Sequence, residues 1–104
     1  MNATEINIAE LKTAIVEWLT ENDMRPEKCI FYTQEEWIAR GEDIGTDAFL
    51  SANIEECGLS GLLNNIDCPD ESEIALENDF YNMLLNYGCY GDLGYGWSIH
   101  FYEP

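Results

Sequence analysis

Cations are almost missing from this chain. Its 104 residues include four Lys and Arg (Lys12, Arg25, Lys28 and Arg40), and none follows Arg40. Phosphate binding requires clustered Lys and Arg, so direct binding of DNA or RNA is excluded, and anionic membrane surfaces would repel the chain. No apolar run approaches the ~20 residues of a membrane span. The N-terminus lacks the basic region and continuous apolar stretch of a secretory leader, so a cytoplasmic location is expected. Internal repeats and low-complexity segments are absent. G-x-S-x-G, P-loop, H-E-x-x-H and EF-hand patterns do not occur either.

What is present is acid. Twenty-one Asp and Glu give a formal net charge of −17. Residues 41–104 carry 13 of these carboxylates with no cation among them. Ordinary domains keep net charge at a magnitude of about 2–8, because self-repulsion otherwise works against the compact state. Improved solubility is the plain explanation for the excess. Adaptation to high salt is another, but four Cys, ten Ile and nine Asn run against that habit. A hydrophobic fraction of 46% with 12% aromatics is that of a folded chain, not a disordered one. The length suits one domain with a modest core.

Local patterns predict an α+β fold. Ile8, Leu11, Ile15, Trp18 and Leu19 recur at helical spacing, predicting a helix over about 5–22 that ends before Pro26. Cys29 to Tyr32 reads as a short strand. Thr33 and Glu36 have capping-box spacing for a short helix stopped at Gly41. In a second strand over about 48–55, Ala48, Leu50, Ala52 and Ile54 alternate with Phe49, Ser51 and Asn53. Gly58 to Leu63 suggests one helical turn, and Asp70 with Glu73 caps a longer helix ending at Gly88. Its apolar stripe is Leu76, Phe80, Leu84 and Tyr87, widened by Ile74, Met83 and Leu85. After a loop at 89–94, a last strand over about 95–102 points Tyr95, Trp97, Ile99 and Phe101 to one face and Ser98, His100 and Tyr102 to the other. The expectation is a single domain with a three-stranded, mainly antiparallel sheet and two longer and one or two short helices on one face.

Catalytic and metal chemistry find little support. Cys29, Cys57, Cys68 and Cys89 are widely spaced, with no C-x-x-C, so buried thiols are expected rather than zinc ligands or disulfides. His100 is the one histidine, and its place in a strand suits a surface or inter-strand role better than that of a general base. Gly91, Gly94 and Gly96 precede a strand with no nearby Lys; a hairpin or bulge explains them better than a phosphate loop. Paired carboxylates such as Glu35-Glu36 lack the spacing of a calcium loop. No cofactor or metal is expected, and an enzyme is not. Trp18, Tyr87, Trp97, Ile99 and Phe101 read as core, whereas Tyr81, Tyr90, Tyr95 and Tyr102 are less committed and could serve an interface.

The expected function is a non-enzymatic acidic inhibitor that binds a basic, nucleic-acid-binding protein or nuclease complex. The carboxylates expected to stand where phosphates stand are Glu42, Asp43, Asp47, Glu55, Glu56, Asp70, Glu71, Glu73, Glu77 and Asp79. In size and acidity the chain resembles the DNA-imitating anti-restriction and anti-CRISPR proteins of phages and mobile elements. It also resembles immunity proteins that neutralise nuclease toxins. Both resemblances are compositional and carry over no functional position. The competing class is an adaptor subunit that binds through an apolar or strand-edge surface.

Overall fold

Capping and periodicity place most helices where the sequence predicts them. A computed structural model of the chain describes residues 7–64 and 70–104; Cys68, Pro69 and the expected helix start at residue 5 lie outside them. Helix α1 (Ile8–Glu21) opens on Asn7, whose side chain accepts from the Glu10 N–H, and buries Leu11, Ile15, Trp18 and Leu19. A 3-10 turn at Pro26–Lys28 leads into β1 (Ile30–Thr33). Helix α2 (Gln34–Ala39) starts with the Thr33/Glu36 capping box. Strand β2 (Leu50–Asn53), the short helix α3 (Leu59–Leu63) and α4 (Glu71–Asn86) follow, and Asp70 and Glu73 form the capping box of α4. Strands β3 (Tyr90–Leu93) and β4 (Ser98–Tyr102) complete the chain as a hairpin.

The sheet has four strands, not the expected three, in the order β1-β2-β4-β3 with every pairing antiparallel. The added strand is β3, in the stretch read as a loop. Gly91 and Asp92, both poor strand formers, hide the alternation of Tyr90 and Asp92 outward with Gly91 and Leu93 inward. Gly91 is there for close approach. A Cβ at that position would meet Leu84 and Ile99 side-chain carbons at 3.0 Å, so the missing side chain lets α4 settle on the hairpin.

Helices cover both faces of the sheet, which corrects the one-face expectation. Leu50, Ala52, Ile99 and Phe101 face α1, α3 and α4 in the main core. Ser51, Ser98 and His100 point the other way, yet they too are buried, under Trp37 of α2 and the loop that follows it. A polar residue on an amphipathic strand ordinarily signals solvent; here a second layer replaces the solvent.

Two aromatic assignments change with it. Trp97 precedes β4 and stacks on Tyr95 (centroids 5.0 Å, 7° between planes) and against Trp37 (5.8 Å), outside the main core. Tyr87 is exposed, as are Ile74 and Leu85. Helix α4 lies against the edge strand β3, so only the line through Phe80 and Leu84 is fully buried, flanked by half-buried Leu76 and Met83.

Candidate functional site

The second layer is built around one imidazole. Ser51 and His100 are cross-strand partners, and Ser98 lies two residues before His100 on the same face. The Ser51 Oγ is 2.8 Å from His100 Nδ1, and the Ser98 Oγ is 2.9 Å from Nε2. The Tyr95 N–H also donates to Ser98 Oγ, at 3.0 Å. Trp37 packs edge-on to the imidazole at 5.0 Å, and its indole N–H donates to the Ile44 carbonyl at 2.6 Å. His100 is 1% exposed. Burial lowers its pKa, against the opposing pull of Asp92, Asp47 and Glu42. The ring is therefore neutral at pH 7, donating from one nitrogen and accepting at the other. Both serines are sealed in with it, so the trio ties β2 to β4 and presents no hydroxyl to solvent.

Two glycines complete the pocket for the ring. A Cβ on Gly45 or Gly94 would overlap the His100 imidazole, and Gly45 also has φ +79°, which L side chains avoid. Gly94→Ala tests the packing without the φ penalty. It is expected to cost about 1–3 kcal/mol in urea unfolding, and less in a His100→Ala background. Equal costs in both backgrounds would show that the ring is not what the glycine accommodates.

The depressed pKa sets a pH dependence. Above the ordinary value of 6.5 the ring is neutral in both states. As pH falls below it, the unfolded chain takes up the proton first, so stability drops until the folded-state pKa is passed. Relief of carboxylate repulsion acts in the opposite direction. The expected result is thus a difference: wild type loses more stability than His100→Gln between pH 7 and about pH 5. Parallel stability curves would count against a neutral buried imidazole.

Over this layer runs the first group of candidate carboxylates. Arg40 lies over the rings of Tyr32 (4.8 Å) and Trp37 (5.6 Å) and pairs with the half-buried Glu42 at 3.2 Å. The Asp43 N–H donates to the Tyr95 hydroxyl at 3.3 Å, and the carboxylates of Asp43 and Asp47 belong to exposed residues. Asp92, a residue that the loop reading of 89–94 passed over, stands opposite His100 on β3 and joins this group. Reading 90–93 as an alternating strand would have found it. Burial raises the pKa of Tyr102, reinforced by Asp47 and Asp92, and burial raises that of Tyr81, reinforced by Glu77 and Asp92. Tyr102 also stacks on the exposed Tyr90 at 5.4 Å. Acids and tyrosines thus adjoin along the β3 edge.

The remaining candidates lie elsewhere. Glu55 and Glu56 are exposed in the turn after β2, beside a cleft of about 280 Å³ lined also by Asp23, Met24, Arg25, Cys57 and Gly58. Asp70, Glu71, Glu73, Glu77 and Asp79 belong to α4 and its cap. The Asp70 carboxyl is held below its ordinary range by the Ser72 hydroxyl and the Glu73 N–H, and Asp79 accepts from the Trp18 indole N–H at 2.9 Å. Helix α4 packs on the main-core face and the 42–47 loop covers the opposite one, so the ten carboxylates do not share one side of the sheet.

Among the described residues no group of three or more His, Cys, Asp and Glu side chains is placed to hold a metal ion, and no helix is long and apolar enough to cross a membrane. No family model, curated protein or solved structure matches the chain.

Proposed function

We propose that this protein is a non-enzymatic acidic inhibitor that occupies the basic, nucleic-acid-binding surface of another protein, in the manner of a DNA mimic. One observation carries the reading: Asp43, Asp47, Glu55, Glu56, Asp70, Glu71 and Asp79 are exposed residues with no cationic side chain at ion-pair distance among the described residues. Their charge is free to meet an external cation. Lys and Arg of a target would be drawn in at long range and would form charge-assisted hydrogen bonds at contact.

Charge density shapes the proposal. A net −17 over 6239 Å² averages about one charge per 370 Å², against roughly one per 100 Å² on B-DNA. With the acids divided between two sides of the sheet, the match to a target is by local clusters rather than by a continuous duplex-like stripe. The cluster with the best supporting geometry is Glu42, Asp43, Asp47 and Asp92, which lies over a rigid layer and beside stackable tyrosines. A phage antagonist of a defence complex and an immunity protein bound to a nuclease toxin both fit this description.

The test is affinity capture of nucleic-acid-binding proteins from the host, followed by competition. A captured protein should lose its DNA when the acidic protein is added, and its complex should dissociate steeply as salt rises. A complex indifferent to salt that leaves DNA bound would instead support the adaptor reading. That alternative is favoured by the edge strand β1, where Ile30 is 49% exposed.

A further inference from the structure

We propose that the outer edge of β3 takes an extended segment of the basic partner as an added strand, one that alternates Arg or Lys with apolar or small residues. The inference rests on the reading of a basic partner and adds how that partner is held.

Strand pairing decides which backbone groups β3 leaves open. In an antiparallel pair, residues alternate between exchanging hydrogen bonds with the partner strand and turning their N–H and C=O away from it. The Gly94 N–H donates to the Ser98 carbonyl at 3.2 Å. Along the same register, Asp92–His100 and Tyr90–Tyr102 are then the hydrogen-bonded pairs of β3 and β4. The far side of β4 agrees. The Ile54 N–H donates to the Trp97 carbonyl at 2.9 Å, so the β2–β4 register turns the backbone groups of Ile99 and Phe101 towards β2 and leaves those of His100 and Tyr102 for β3. Gly91 and Leu93 therefore point their N–H and C=O outward, at a free edge of the sheet. Among the described residues neither N–H has a backbone partner beyond the hairpin, and both residues are partly exposed. Such a row of unpaired groups is a template for another strand.

The β1 edge differs. By the same alternation its outward residues are Cys29, Phe31 and Thr33. The Cys29 N–H donates to the Pro26 carbonyl at 3.1 Å, and the Thr33 N–H to the Glu36 carboxylate at 2.8 Å. The chain thus closes this edge on both sides of Phe31, and β1 offers the Ile30 side chain rather than a ladder.

Charge selects the occupant of the β3 edge. A strand added at about 4.8 Å brings alternate side chains alongside Tyr90 and Asp92, which are exposed and share one face. Against an antiparallel strand these two fall in the non-hydrogen-bonded pairs, where facing side chains come closest. An Arg opposite Asp92 can grip its carboxylate with two hydrogen bonds. One opposite Tyr90 can stack on a ring that Tyr102 backs at 5.4 Å. No Lys or Arg follows Arg40, and the ion pair among the described residues is Arg40–Glu42, so no internal cation competes for Asp92. The intervening side chains of the added strand fall on the side of Gly91 and Leu93, where Leu84 of α4 packs, and apolar or small residues suit that side. A second copy of this chain is disfavoured there, because β3 against β3 would bring two Asp92 side chains into one short ladder between molecules of net charge −17.

The probe is a short synthetic peptide alternating Arg and Val, added to the native protein at low salt. Fluorescence anisotropy should show binding, and amide hydrogen exchange followed by NMR should slow at Gly91 and Leu93. N-methylation of the Val residues leaves the peptide's charge unchanged and should weaken binding by about 10-fold, for two lost hydrogen bonds. Replacing Arg by Glu should abolish binding. Leu93→Pro removes an outward N–H, a change that edge strands accept. With its circular dichroism unchanged, this variant should lose both the Arg peptide and any captured host protein. The proposal is overturned by equal affinity for the N-methylated peptide, by slowed exchange confined to other amides, or by self-association through β3 in sedimentation. A Leu93→Pro variant that still captures the host protein and displaces its DNA would also overturn the edge site, while leaving the inhibitor reading standing. An Arg peptide seated on β3 with no nucleic-acid-binding protein captured would uphold the edge site and count against that reading.

Discussion

Trp37→Ala should lower stability by about 3–5 kcal/mol, the usual cost of emptying a buried large aromatic site. Trp37 is fully buried and touches three rings, those of Tyr32 (5.6 Å), Trp97 (5.8 Å) and His100 (5.0 Å). Arg40 lies over it as well, and the Trp37 indole N–H donates to the Ile44 carbonyl. Removing it takes away the plate that holds the imidazole and the anchor of the loop bearing Glu42, Asp43 and Asp47. Domains of this size have about 5–15 kcal/mol in total, so the variant would sit near its unfolding transition. At about 4 °C or more per kcal/mol, a fall in Tm of at least ~12 °C is expected by circular dichroism. Trp37→Phe, which keeps a ring and loses the N–H, should fall between the two. A Tm within a few degrees of wild type for Trp37→Ala would mean that the second layer contributes little.

Reversing four carboxylates, Glu42, Asp43, Glu55 and Glu56 to Lys, should abolish capture of a basic partner or weaken it by at least about 100-fold at low salt. Each reversal moves the net charge by two, taking −17 to −9. Two clusters then turn from attraction to repulsion. Of the four side chains, only Glu42 has an ion pair among the described residues, so the fold loses little. Far-UV circular dichroism before and after would check that point. Charge-neutral Gln and Asn at the same positions should have a smaller effect on affinity and should flatten its salt dependence. Binding that survives reversal would transfer the function to an uncharged surface, such as the β1 edge.

Much of the local structure was legible because its causes are local. Thr33 with Glu36 and Asp70 with Glu73 are capping boxes in sequence and in structure, since those hydrogen bonds span three residues. Gly41 and Gly88 take positive φ where helices were expected to stop. Ala48, Leu50, Ala52 and Ile54 alternate as a strand must and are all buried. Strand β3 escaped because strand identity in a hairpin comes from the partner's hydrogen bonds, and Tyr90–Leu93 earns its place only beside β4. Tyr87 and Trp97 were misplaced because periodicity says which residues share a face, not whether another element covers it.

The sequence by itself determined the charge, the α+β class and the division of acids and bases along the chain, all properties of residue identity and near neighbours. Only the tertiary structure decided that the absence of cations after Arg40 leaves exposed carboxylates on both sides of a four-stranded sheet. It also decided that His100 is a buried cross-strand tie. These facts depend on strand order, register and the layer over the second face, which are set by long-range burial and backbone pairing rather than by any local pattern.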